Sequence, residues 1–570
     1  MKKITILGLL VLSVMQLGAD TAMPRKKFIA HSWDLLWMNP ARLLHNIDKL
    51  ETLPLDGITI NLEVTDNTGA TRSVLHAFND VSWQRSWFDK DRATLKRICG
   101  GKLKSNFLTS FWVPRKNRVA WDDDAQWEII ANNMAIIAHL AKTSGAKGIM
   151  MDTEDYLKKY QYAYQADKDK GTYEETAELA RQRGRQVMRA MAEEFPDCVY
   201  MSFWFLSLGP LYFDMQGDRE AICKAGGMLW VEFINGLLDE LPPESIMVDA
   251  TENGYRHDFR RMDFYKSGHD IKNRAIKLIA PENRAKYRKQ MQVGFGLYLD
   301  MYTNNPGAEW YFGPLNGSRL EMLRNNFAQA VNIADEYCWV YGELFRWIRW
   351  DYQDLVISDE WPKRPLEQLT WDEKLPGVYR AMSLITRPRE TVDEWYGKQK
   401  AAGKLLNLVQ NAACNPNGTG AAIVNAPSYF MNTNLPSGWY FSRNGSRGQF
   451  GIDKTTGFGD RYSVFAAGTH GCNFIVKADV QGGKHYVVEA FAKGNSRPKL
   501  YITWRAGNKD FAGSQSAYIM FDRDAGNGWL RARGWVTAPE GATEIMVRMD
   551  SIIVNEERCN YDMPGVYEFN

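Results

Sequence analysis

Up to about residue 344 the chain repeats one pattern: a short apolar run of strand length, then a stretch with apolar residues every three or four positions. Strand-like runs occupy residues 28–34, 57–63, 105–113, 148–154, 199–205, 245–250, 293–300 and 338–344. Helical spacing shows between them in Trp127, Ile130, Met134, Ile137 and Leu140, and again in Leu320, Leu323, Phe327, Val331 and Ala334. Strand alternating with helix predicts a parallel sheet, because parallel neighbours need a crossover. Eight such units predict closure into a (β/α)8 barrel, and no Gly-x-Gly-x-x-Gly follows the first strand to favour an open nucleotide-binding sheet. In residues 228–238, Leu229, Phe233 and Leu237 with Val231, Ile234 and Leu238 suit a buried helix that closes at Pro242 and Pro243.

Three of the runs end in acids: the fourth in Asp152, Glu154 and Asp155, the sixth in Asp249 and Glu252, the eighth in Glu343. Barrel chemistry sits at the C-terminal ends of the strands, so acids there are candidates for it. Pleat alternation puts Met150, Asp152 and Glu154 on one side and Ile149, Met151 and Thr153 on the other. Two carboxylates on one face raise each other's pKa, a cost that points to use. The remaining strand ends offer His31 or Asp34, Asn61 and Glu63, Trp112, Ser202 and Trp204, Tyr255, Tyr298 and Asp300 with Gly294 and Gly296 on the same face, and Trp339 with Tyr341. A lumen is normally filled by branched apolar residues, so this rim is unusually polar and aromatic. Asp152, Glu154, Glu252 and Glu343 are the catalytic candidates. His31, Asn61, Glu63, Trp112, Tyr156, Trp204, Asp249, Tyr255, Asp300 and Tyr341 are the substrate-binding candidates.

Residues 23–400 are thus expected to form the barrel with helical extensions, with a hinge near 399–404 and an all-β sandwich over 405–570. The second part shows short β-rich runs punctuated by Gly, Asn and Asp, at 439–442, 462–467, 473–476, 485–491, 499–505, 517–521, 529–536 and 544–549. Lys2 and Lys3, an apolar stretch from Ile4 to Leu17 and small residues at Ala19 and Ala22 read as a signal peptide over residues 1–22, and no cysteine follows to carry a lipid. A secreted or periplasmic protein without an integral membrane span is expected. Seven cysteines lack Cys-x-x-Cys spacing, and a bridge among Cys414, Cys472 and Cys559 is open. A net charge of +2 gives no reason to expect a nucleic-acid partner, whereas Trp 20, Tyr 26 and Phe 26 offer flat faces on which sugars stack.

Leu406-Asn-Leu-Val-Gln-Asn-Ala, Ser437-Gly-Trp439, the run from Tyr486 to Lys493 and the closing Cys559-Asn-Tyr-Asp-Met resemble the jelly-roll carbohydrate-binding modules appended to bacterial glycanases. The barrel resembles secreted glycoside hydrolases. Its Gly-Ile-x-x-Asp-x-Glu is similar to the Asp-x-Glu strand of family 18 chitinases, although Ile149 to Met151 stand where that family places further acids. Another similarity is to α-galactosidase-like barrels, which would use Asp152 and the stretch from Asp249 to Glu252. Together these imply a glycan substrate cleaved by a carboxylate pair. A non-catalytic glycan-binding scaffold and a polysaccharide lyase are the alternatives, the lyase needing basic residues that are sparse at these strand ends. No cofactor is implied; Asp66, Asp80 and the run Asp122 to Asp124 are acidic enough for calcium but also suit helix starts.

Overall fold

The computed structural model describes residues 25–351, 369–414, 435–443, 448–468, 471–495, 497–507, 509–511, 516–551 and 557–569; the expected leader lies outside them. The chain forms two compact units, Met1–Thr386 and Arg387–Asn570.

In the first unit eight parallel strands close into a barrel: β1 (Lys27–Ser32), β2 (Gly57–Ile60), β3 (Phe107–Phe111), β4 (Gly148–Asp152), β5 (Val199–Ser202), β6 (Ile246–Thr251), β7 (Met291–Tyr298) and β8 (Tyr337–Gly342), with β8 paired back to β1. All eight lie within two residues of the expected starts, and most stop short of the expected ends. The acids mostly follow the strands instead of belonging to them. Helices occupy the connections, among them α1 (Pro40–His45), α2 (Asp89–Gly100), α3 (Asp124–Ser144), α4 (Tyr173–Glu194), α5 (Leu229–Glu240), α6 (Arg284–Gln290), α7 (Arg319–Ile333) and, after β8, α8 (Val378–Thr386). Every residue of β4 is buried, as expected of a parallel strand covered on both faces.

Local chemistry sets the helix ends. The Asp123 carboxylate accepts the Gln126 N–H at 3.0 Å to start α3, and Thr172 with Glu175 closes a capping box on α4. Helix α5 lies against α4 because Gly236 has no side chain; a Cβ there would sit 2.0 Å from the Arg181 carbonyl oxygen. Three more of the acids considered for calcium are engaged locally: Asp66 pairs with Arg72 at 2.7 Å, Asp122 with Lys170 at 2.7 Å, and Asp124 with Arg183. No group of three or more His, Cys, Asp or Glu side chains among the described residues is placed to hold a metal ion, and none of the described helices is long and apolar enough to cross a membrane.

The second unit opens with α9 (Pro388–Ala401). Its antiparallel strands are β9 (Tyr440–Arg443), β10 (Gln449–Asp453), β11 (Ser463–Ala467), β12 (Cys472–Asp479), β13 (His485–Gly494), β14 (Lys499–Ala506), β15 (Lys509–Asp510), β16 (Ala517–Met520), β17 (Arg523–Gly526), β18 (Trp529–Thr537), β19 (Glu544–Ser551) and β20 (Arg558–Glu568). One sheet runs β9-β12-β19-β14 with β15 and β16 both paired to β14; the other runs β10-β11-β20-β13-β18-β17. Side chains of both sheets, such as Phe474, Ile502 and Val547 from one and Val488, Ala490 and Tyr561 from the other, share one core. Cys414 and Cys559 are buried free thiols, and so are the other four cysteines whose side chains are described, so no bridge forms among these residues.

Two features differ from the sequence expectation. Helix α9 belongs with the sandwich and not with the barrel, because Asp393 bonds Arg531 and Arg533 at 3.0 and 2.8 Å and Tyr396 Oη donates to Glu489 at 2.5 Å. The boundary therefore falls before residue 387 and not near 400. The strand β20 was also not expected: Pro564 and Gly565 speak against a central strand. A bulge in β20 itself, where Met563 and Pro564 lie opposite the single residue Ala490 of β13 and Met563 has φ 47°, accommodates the proline.

Candidate active site

The fourth strand stops at Asp152, so pleat alternation does not carry Glu154 to the same side. A turn does. The Asp152 Oδ1 accepts the Glu154 backbone N–H at 2.8 Å, folding the chain back so that the two acids interact. Glu252 opens a 3-10 turn (Glu252–Arg256) after β6, its N–H bonded to the Phe203 carbonyl at 3.0 Å. Glu343 follows β8, with its backbone N–H held by Asp300 Oδ2 at 2.9 Å and its carboxylate accepting from Tyr341 Oη at 3.2 Å.

These groups feel one another. Burial, then Glu154, raises the Asp152 carboxyl well above the usual range. Burial pushes Glu154 up to about 7. Glu252 rises to about 9 through burial, then Glu154, Asp152 and Glu343. No lysine or arginine figures among these influences, and Glu252 Oε2 is buried without a hydrogen-bond partner among the described residues. Asp152, Glu154 and Glu252 thus form one group raised by burial and by neighbouring acids, with Glu343 acting on Glu252 from a third strand end. Repulsion between neighbouring acids keeps some of them protonated near neutral pH.

Aromatic side chains build the floor and wall. Phe203 stacks on Trp339 at 4.2 Å, and Trp339 Nε1 donates to the Ala250 carbonyl at 2.7 Å. Tyr255 lies parallel to Tyr341 at 5.8 Å and meets Tyr298 at 5.0 Å, with Trp310 beyond them at 6.1 Å from Tyr255. Gly296 makes room for this cluster: a Cβ there would meet the Trp339 ring at 2.7 Å and the Tyr255 ring at 2.9 Å. Trp33 Nε1 donates to Tyr341 Oη, fixing the hydroxyl that reaches Glu343. Beside Glu154 opens a cavity of about 560 Å³ lined by Tyr156, Tyr160, Tyr162, Trp204, Tyr212 and Trp230, among others.

The structure gives several substrate-binding candidates other positions. Trp112 is wholly buried between Phe78 and Phe233, at 5.8 and 6.2 Å, and presents no face to a ligand. Asp249 is wholly buried and accepts the N–H groups of Phe205 (3.1 Å) and Ser207 (3.0 Å) together with the Ser207 hydroxyl, so it braces the loop after β5. Asp300 is likewise committed, to the N–H groups of Glu343 and Leu344. Asn61 accepts from the Leu62 N–H and Ser73 Oγ, tying down the hairpin of Glu63–Thr65 and Thr71–Ser73, on which Glu63 is exposed. His31 is buried against Thr59 Oγ1 (2.9 Å) under Tyr341, and burial lowers its pKa to about 3, so it is a neutral part of the floor. Asp34, the alternative to His31, accepts from Trp347 N–H and Trp350 Nε1 and joins β1 to the segment after β8. Tyr156, Trp204, Tyr255 and Tyr341 stand around the acids; Tyr156 Oη donates to Glu154.

Sequence reasoning missed Phe203, Trp33 and Trp310. A strand running on to 205 brings Ser202 and Trp204 to one face and passes over Phe203 between them; the strand ends at Ser202, and the chain turns. Trp33 immediately follows β1 and was detectable as an aromatic at a strand end, whereas Trp310 lies in a connection without periodicity.

No family model matches the sequence, and no curated protein matches it significantly. Solved structures give partial likenesses. One is the enzymatically active domain of bacteriophage CBA120 tailspike protein 4 (13% identity, TM-score 0.22, 29% of this chain and 21% of that one). Another is family 16 carbohydrate-binding module 2 (13%, TM-score 0.17, 21% and 85%). A third is the CBM22-1–GH10 part of Clostridium thermocellum endo-1,4-β-D-xylanase 10B complexed with xylohexaose (13%, TM-score 0.18, 23% and 26%). The chain spans about a fifth of the first and a quarter of the third.

Proposed function

We propose that this protein is an exported glycoside hydrolase in which a (β/α)8 barrel cleaves a polysaccharide or glycoprotein glycan and a jelly-roll sandwich binds it. The observation that carries the proposal is the group of Asp152, Glu154 and Glu252, raised together and without a cation, beside an aromatic cavity. Glycosidic cleavage needs one protonated carboxyl to donate to the leaving oxygen and one ionised carboxylate to attack or to activate water. A repelling group of acids near pH 7 supplies both forms from one set of side chains. Glu154, held near 7 at the border of the cavity, is the proton donor and acceptor. Asp152 lies behind it and orients its backbone. Glu252 works from the neighbouring side, and Glu343, aimed by Tyr341 and Asp300, orients a sugar hydroxyl.

A panel of chromogenic glycosides and polysaccharides on purified protein identifies the substrate. On it, Asp152→Asn, Glu154→Gln and Glu252→Gln are each expected to lower kcat by at least ~10²-fold with the fold intact, the scale of general acid–base catalysis. Glu343→Gln should cost less. Near-normal turnover in both Asp152→Asn and Glu154→Gln would make the pair structural and sink the proposal in this form.

A further inference from the structure

Among the described residues, the cavity beside Glu154 has no basic side chain in its lining. Its charged members are Glu154 and Asp155; the rest are aromatic, aliphatic or small, with Gln161 and Thr153 the neutral polar ones. Behind Glu154 stand Asp152 and Glu252, again without a lysine or arginine among the groups that act on them. The loop that supplies three of the tyrosines is fixed by an acid as well: Asp155 accepts the N–H groups of Lys159 at 2.9 Å and of Tyr160, with Lys158 and Tyr160 in the left-handed region. That turn presents Tyr156 and Tyr160, both about half exposed, at the edge of the cavity.

From this geometry, and resting on the glycosidase reading, we infer that the sugar seated beside Glu154 is neutral or carries an amine, and that uronates and sulfated sugars are excluded. A carboxylate or sulfate entering this cavity leaves water and meets neither of the usual partners for such groups, guanidinium or ammonium, among the described lining residues. It also approaches whichever rim acids are ionised. A neutral pyranose loses little, because its apolar face lies on Tyr and Trp rings, and an ammonium gains from ionised acids and from aromatic faces.

The test is calorimetric binding to the whole protein of four matched aryl glycosides: the neutral hexoside, its 2-amino form, its uronide and its 6-sulfate. The neutral and amino forms should bind at least ~10-fold more tightly than the uronide and sulfate. Glu154→Gln should narrow that gap, since it removes one of the two acids from the lining. Equal or tighter binding of the uronide overturns the inference while leaving a hydrolase possible. Selective binding of the neutral form without cleavage by wild type keeps the inference and overturns the hydrolase.

Discussion

Two groups of buried acids, one in each unit, are handled in opposite ways. In the sandwich, Glu489 is 2% exposed and is matched by Arg533 at 2.5 Å and by the hydroxyls of Tyr396 and Tyr567. Asp453 is bonded by Arg558, by Asn560 Nδ2 at 3.0 Å, and by the Thr455 N–H and hydroxyl, each at 2.8 Å. In the barrel, Asp34, Asp249 and Asp300 are satisfied by N–H donors, while Asp152, Glu154 and Glu252 are left to repel one another. Burying an acid without a partner costs free energy, and only a group with work to do holds that position. Burial alone therefore does not separate structural from chemical acids in this protein. Their partners do.

The sharpest way to break this contrast is to unpair the sandwich. Arg533→Ala strips Glu489 of its cation and should destabilise the second unit by about 3–5 kcal/mol, the usual cost of breaking a buried pair. Denaturant unfolding followed by regional hydrogen exchange reads this, and a change below about 1 kcal/mol would show that the pair is replaceable. Removing α9 tests the same network from outside. A fragment of residues 387–570 should be more stable than one of residues 405–570, because the longer piece keeps Asp393 on Arg531 and Arg533 and keeps Tyr396 on Glu489. Equal stability would place the helix as an ornament.

The pH dependences of the Glu154–Glu252 group and of Asp453 should run in opposite directions. Glu154 and Glu252 sit at about 7 and about 9 in the folded barrel, against 4.5 unfolded. The folded state thus binds more protons between pH 4.5 and 9, so barrel stability falls as pH rises through that window. Although burial pushes Asp453 up, hydrogen bonds from Thr455 and Asn560 and the charge of Arg558 hold it at about 2, against 3.8. Its contribution is present above pH 3.8 and is lost as pH falls through 2. Asp562 of the sandwich, pushed up to about 7 by burial, adds a slope of the barrel's sign. The sandwich is therefore read by exchange protection of wild type against Asp453→Asn at pH 2 and 4, and the barrel at pH 5 and 9. Parallel slopes of the two acid groups would erase the contrast. The smallest effect is the most telling. Glu252→Gln should stabilise the barrel by about 1 kcal/mol while costing turnover, as expected where activity is held against stability.

Much of this was legible in the residues. The eight strand positions follow from apolar runs, and the four acids follow from being at their ends. The strand ends were not legible, since Asp152, Ser202 and Gly342 stop their strands through turns that no alternation rule encodes. Trp112 and Asp249 could not be told from site residues either, because a wholly buried Trp and a loop-bracing Asp look in sequence like a platform and a ligand. The boundary at 386 was hidden for a related reason: α9 has an ordinary helical pattern, and only Asp393 and Tyr396 facing arginines and a glutamate more than 90 residues away assign it to the sandwich.

Gly296 ties the wall of the barrel to the room inside its mouth. One added carbon there meets the Trp339 and Tyr255 rings, while all four acids keep their identities and their strand ends. Gly296→Ala is therefore a way to silence the site by volume and leave its charge in place. Conversely, the close approach of two large rings to the barrel wall rests on a single missing methyl group, so the packing of the mouth is decided by a residue that carries no chemistry at all.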